Sequence, residues 1–148
     1  MELSCKSEYT FLALLELADH YASGEPLQIR QISAHQQIPD RYLEQLLATL
    51  RRANIVRSQR GAKGGYLLAR EPWNITLLEV VNCLEGFDLP QALPELASNV
   101  EKTLGGAIIG EMWQEVRQAA NAVLARYTLK DLSDRRDARQ QLDLMYYI

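Results

Sequence analysis

Cysteine is scarce in this 148-residue chain: Cys5 and Cys83 are the two present, far apart in sequence. That spacing excludes a disulfide framework and any Cys-x-x-Cys site, and leaves reduced thiols as the default. Long apolar runs are missing too. No stretch approaches the roughly 18 consecutive apolar residues of a membrane span, and Met1-Glu2-Leu3 does not open a signal peptide, so a soluble, cytoplasmic protein is expected. Positive charge is short overall, with a net charge of -3. Catalytic groupings are absent as well: there is no Ser-His-Asp or Cys-His arrangement, paired-carboxylate pattern or metal-ligand spacing, and an enzyme is not expected.

What is present is unevenly placed. Residues 1–38 net -3 and residues 71–148 net -5, whereas residues 39–70 net +5. A single basic block on an otherwise acidic chain is the electrostatic footprint of a local DNA contact. The hydrophobic fraction of 47 % suffices for one core, so a single domain or a domain with an appendage is expected.

Periodicity places the elements. Phe11, Leu14, Leu15 and Ala18 recur at helical spacing, which predicts a first helix over about Ser7 to Tyr21 with Gly24 as its stop. After Pro26, Ile29, Ile32 and Ala34 mark a short second helix of about eight residues. Pro39 opens a third, where its missing N–H costs nothing, and Leu43, Leu46, Leu47 and Leu50 stripe it to about Ala53. Ile55–Ser58 and Tyr66–Ala69 read as strands around a glycine-rich tip, Gln59 to Gly65. Thr76-Leu-Leu-Glu79 has capping-box form, predicting a helix to Glu85 with Gly86 behind it. Phe87 to Gly106, with two prolines and a glycine pair, reads as a loop with one short helix near Leu93 to Leu104. Ile109, Met112, Trp113, Val116, Ala120, Val123 and Tyr127 then predict one long amphipathic helix. Thr128 to Leu132 looks like a helix restart, leading through a polar stretch to an apolar end. The fold class is mainly α with a small β-hairpin: residues 1–86 as a winged helix-turn-helix, 87–106 as a connection and 107–148 as a dimerisation helix and tail.

The third helix carries Arg41, Glu44, Gln45, Ala48 and Arg52 opposite its leucines. Arg, Gln and Glu near the start of a recognition helix can read base edges in the major groove, and Tyr42 suits a phosphate contact. Arg60, on a glycine-flanked tip, can enter a narrow minor groove. Arg51, Arg57 and Lys63 suit phosphates, adding affinity without sequence information. A polar helix face is usually only a solvated one, and what raises this one above that is its conjunction with a proline turn and a basic hairpin within about 45 residues. The tip is not a phosphate loop, because the GxxxxGK[ST] spacing is absent and a strand follows it.

Arg41-Tyr-Leu-Glu-Gln-Leu-Leu and Leu50-Arg-Arg-Ala-Asn-Ile-Val-Arg-Ser-Gln-Arg-Gly-Ala-Lys-Gly-Gly-Tyr66-Leu resemble the central motif of the Rrf-two family of bacterial winged-helix regulators. Leu3 to Tyr9, Ile75-Thr-Leu, Leu84-Glu-Gly86 and Thr128 to Leu132 extend the resemblance to about 130 residues. It implies a transcriptional regulator in which Arg41, Glu44 and Gln45 read bases, Arg60 is the wing arginine, and the long helix pairs two subunits over a palindromic operator. Many members have Gly-Pro-Gly-Gly-Gly at the tip; Gly-Ala-Lys-Gly-Gly here adds a charge, which should raise the salt dependence of binding.

Some members resemble one another in holding an iron-sulfur cluster through three cysteines between the fourth helix and the dimer helix. Asp88 to Glu111 here holds neither Cys nor His, so no cofactor is expected and a cluster is unsupported by the cysteine pattern. Cys5, and Glu8 where some members supply an acidic ligand, are weak metal candidates. Cys83 reads as a packed small hydrophobe. His35 reads as a surface residue beside a phosphate-contact alternative, and His20 has no evident partner. The reading is a homodimeric repressor binding double-stranded DNA, whose effector no residue names. The alternatives are a module docking a partner enzyme and a redox or iron-sulfur sensor with non-standard ligands.

Overall fold

A computed structural model describes residues 3–88 and 103–147. Six α-helices and one hairpin make up the described chain: α1 Cys5–Asp19, α2 Ile29–Gln36, α3 Asp40–Arg52, β1 Val56–Gln59, β2 Gly65–Leu68, a 3-10 turn Pro72–Asn74, α4 Leu77–Asp88, α5 Leu104–Arg126 and α6 Leu129–Tyr146. The short helix expected near Leu93 to Leu104 lies outside the described residues up to position 102. Among the described residues no helix is long and apolar enough to cross a membrane.

Side-chain caps explain where the helices begin. Ser4 accepts from Ser7 N–H at 3.2 Å, which starts α1 two residues before the expected Ser7. Thr76 and Glu79 form the expected reciprocal box, with Thr76 N–H donating to Glu79 at 3.0 Å and Glu79 N–H to Thr76 Oγ1 at 3.2 Å. Gly86 does not stop α4, which runs to Asp88; an interior glycine costs a helix only about 1 kcal/mol. Thr103 accepts from Gly106 N–H at 3.0 Å, so α5 starts at Leu104 and takes in the Gly105-Gly106 pair that sequence alone assigns to a loop.

One core unites α1 to α4 and the hairpin. Leu14, Ile32, Leu43, Leu47, Leu50, Ile55, Ile75 and Val80 are all fully buried in it. Leu129, at the start of α6, is buried in the same core. Its position is set by a second capping box, Thr128 with Asp131, and by two backbone bonds, Leu77 N–H to Tyr127 O at 2.9 Å and Leu129 N–H to Ile75 O at 3.0 Å. The starts of α4 and α6 are thus stitched side by side. Farther along α6, Arg136 grips Asp19 of α1 through both terminal guanidinium nitrogens, at 2.9 and 2.6 Å. The polar stretch after Leu132 is therefore helix, held to α1 at Arg136.

A candidate nucleic-acid interface

Between α2 and α3 the chain turns at Gln37, which takes left-handed geometry at φ 54°, while Ile38 plugs the core at 2 % exposure. Ser33 donates to the Asp40 carboxylate across this turn, tying the two helices together. On α3, Leu43, Leu46, Leu47 and Leu50 are buried and Arg41, Glu44 and Gln45 are exposed. The stripe and the polar face expected from spacing are therefore the inner and outer faces of one helix.

Tyr42 and Arg52 are more engaged with the protein. Tyr42 is half-buried and meets Tyr9 edge-to-face at 5.8 Å between centroids. Arg52 turns back on its helix to Thr49 Oγ1 at 3.4 Å. Arg51 reaches Ser58 Oγ on β1 at 3.4 Å, linking α3 to the hairpin.

The hairpin is antiparallel, with Val56 opposite Leu68 and Gln59 opposite Gly65. Arg57, Arg60 and Lys63 are all exposed. A turn closed by Gly64 N–H to Gly61 O at 3.0 Å carries Lys63, with Arg60 just before it. The hairpin is fixed to the segment before α2 by a reciprocal pair, Leu27 N–H to Tyr66 O at 2.9 Å and Tyr66 N–H to Leu27 O at 2.7 Å. Gly65 permits this approach, since a Cβ there would lie 2.4 Å from Leu27 O. An open groove results between the start of α2 and the wing.

The long helix shows a different surface. Ile109, Met112, Trp113 and Val123 are exposed, with Ile108 beside them; Val116 and Ala120 are half-exposed. Gly106 is the buried residue of α5, and Leu124 and Tyr127 pack against the core. Tyr127, expected in the pairing stripe, packs against the core of its own chain, with Arg135 over its ring at 4.5 Å.

The donors offered to a metal are poor. Cys5 is exposed. Cys83 is half-buried with Sγ directed at Thr49 O at 3.7 Å, and burial pushes its thiol up, against the opposing effect of Arg52 and Lys6. Glu8 is exposed on α1. Among the described residues no three His, Cys, Asp or Glu side chains could hold a metal ion. With two cysteines in the whole sequence, the chain does not fit a cluster held by three thiolates. Sequence reasoning names no partner for His20 and reads His35 as a surface residue, and Glu16 meets both: His20 Nδ1 lies 3.0 Å from its carbonyl and His35 Nδ1 3.4 Å from its carboxylate. A carbonyl can only accept, so His20 holds its proton on Nδ1.

A recognition helix with a free polar face, a tied turn before it and a basic hairpin beside it define a winged helix-turn-helix, a module that binds double-stranded DNA. Comparison with known proteins agrees. Residues 3–135 match the model of the Rrf2 (Rrf-two) family, described as an iron-dependent transcriptional regulator. The chain is 34 % identical to the HTH-type transcriptional regulator CymR of Bacillus subtilis over 99 % of both chains. It is 32 % identical to the regulator IscR of Xenorhabdus nematophila, over 89 % of this chain and 79 % of that one. Among solved structures, IscR of T. potens superposes with a TM-score of 0.76 at 32 % identity, covering 95 % of this chain and 91 % of that one. CymR of B. subtilis, described as a global cysteine regulator, gives 0.70 at 33 % identity over 90 % and 97 %. The chain belongs to the Rrf2 family and is a DNA-binding transcriptional regulator.

Proposed function

We propose that the protein is a homodimeric, cytoplasmic repressor that binds a pseudo-palindromic operator and does so without a three-cysteine cluster. The observation that carries this reading is the exposed apolar face of α5 in a chain whose reading helix and wing lie on one compact body. A single recognition helix covers too few base pairs for a selective site, and a two-fold pair spaced about one helical turn apart doubles it. A second copy of α5 would cover Ile109, Met112, Trp113 and Val123. In this division residues 1–86 read DNA, and of residues 107–148 the long helix joins the subunits while the rest is a C-terminal tail.

Within each half-site Arg41, Glu44 and Gln45 face the major groove and meet base edges. Arg60 enters the minor groove, and Arg51, Arg57 and Lys63 contact phosphates. Tyr42 offers its hydroxyl to a phosphate, its ring being held by Tyr9, and Arg52 contributes charge at the end of α3.

Selection of bound duplexes from genomic fragments tests the reading. An inverted repeat should emerge, and Arg60→Ala should weaken binding to it far more than to random DNA. Recovery of a single unrepeated half-site would refute the two-fold reading, and equal losses on both DNAs would refute the minor-groove role.

A further inference from the structure

The groove between α2 and the wing has a feature that sequence reasoning did not weigh. One wall is formed by Gln28 and Arg30 at the start of α2, the other by Ser58 and Arg60 of the hairpin, and no carboxylate lines it. Two guanidinium groups from different elements border one opening in a chain of net charge -3. Arg30 is also the single Lys or Arg between Lys6 and Arg41. It is exposed and forms no ion pair among the described residues.

An acidic competitor, Glu16, shares a neighbouring cleft with Arg30. Its carboxylate is already engaged by Gln36 Nε2 at 2.6 Å and faced by His35 at 3.4 Å. Ser58 Oγ accepts from Arg51 at 3.4 Å, which leaves its hydroxyl proton available to donate. The two walls are held in fixed relation by the reciprocal Leu27–Tyr66 bonds. Glycines 61 and 64 on the rim bring no side chain to obstruct approach.

We propose that this groove seats a phosphate of the DNA backbone, with Arg30 as its principal ligand, next to the minor groove that Arg60 enters. The inference rests on the wing reading given above. A guanidinium matches phosphate oxygens in bidentate geometry. A phosphate held from α2 and from the wing together would anchor the protein on the backbone beside the hairpin, so Arg30 adds affinity while carrying no sequence preference of its own.

The test uses the full chain, the selected operator and a random duplex, with Arg30→Gln, Arg30→Lys and Arg60→Gln. Arg30→Gln should weaken both duplexes by the same factor and flatten the slope of log affinity against log salt by about 0.9 for each subunit bound. Arg30→Lys, which keeps the charge, should retain the slope, whereas Arg60→Gln should act mainly on the operator. A scan replacing single operator phosphates by neutral methylphosphonates should find one position per half-site that matters to the wild type and no longer to Arg30→Gln. An unchanged slope and scan for Arg30→Gln, or a loss confined to the operator, would overturn the proposal while leaving the DNA reading intact. A wild-type protein showing no salt-dependent binding to either duplex would instead remove the wing reading on which the proposal stands.

Discussion

Replacing Met112 by Glu puts a carboxylate in the middle of the α5 face. Ile108, Ile109, Met112 and Trp113 are 57, 60, 58 and 56 % exposed in the single chain. Burying such a side chain completely contributes about 1.5–3 kcal/mol, so covering the exposed half of each contributes roughly 1 kcal/mol or a little more. Two-fold symmetry repeats the gain on the partner, giving on the order of 8–12 kcal/mol to set against an association cost of about 4–15 kcal/mol. Glu at position 112 removes this contribution twice and buries two unpaired charges, each costing several kcal/mol. The dimer dissociation constant should rise by at least about a thousandfold, equivalent to about 4 kcal/mol. Sedimentation equilibrium reads this directly, with Gln114→Glu on the opposite face of α5 as the variant that should pair normally. The monomeric variant should keep its helical signal, because the core of α1 to α4 does not include Met112. Met112→Glu sedimenting at the wild-type mass and binding operator with wild-type affinity would refute the assignment of this face as the seam.

Other perturbations separate the remaining parts. Glu44→Ala and Gln45→Ala should each shift base preference by about 1–3 kcal/mol at one operator position, read by selection from a random pool; unchanged preferences would mean that α3 does not read bases through them. Gly65→Ala should cost about 3 kcal/mol in urea unfolding because its Cβ would strike Leu27 O, whereas Gly61→Ala, with nothing within 4 Å but φ at +113°, should cost about 1 kcal/mol. Leu129→Ala should cost about 2–5 kcal/mol as a core truncation; a loss below about 1 kcal/mol would mean that α6 is not docked on the body. At Glu79, burial raises the carboxyl pKa, but the Thr76 N–H and Arg70 outweigh it and hold the group below its ordinary value. Its stabilising effect is therefore present above the usual carboxylate range and lost as pH falls through the lowered value, so the stability gap between wild type and Glu79→Gln should close below about pH 4.

The legible parts of this molecule share a local cause. Leu43, Leu46, Leu47 and Leu50 announce α3 because helix geometry places residues three and four apart on one face, and the same rule exposes Arg41, Glu44 and Gln45. The Thr76–Glu79 box is readable because both partners lie within one turn. Thr103 was missed although its capping signal is equally local, because the Gly105-Gly106 pair reads more strongly as a break. The Glu16 contacts to Gln36 and His35 were not legible, since they join residues about twenty positions apart.

Sequence by itself determined the elements of the reading head, the polar face of α3, the charged wing and the lack of a three-thiolate set, because each depends on composition or on spacing within a turn or hairpin. Only the tertiary structure decided that Leu129 belongs to the core, that Tyr127 faces its own subunit while Met112 and Trp113 do not, and that Arg30 shares a groove with Arg60. Those relations bring together residues distant along the chain, and their positions follow from how the helices pack, which no local periodicity encodes.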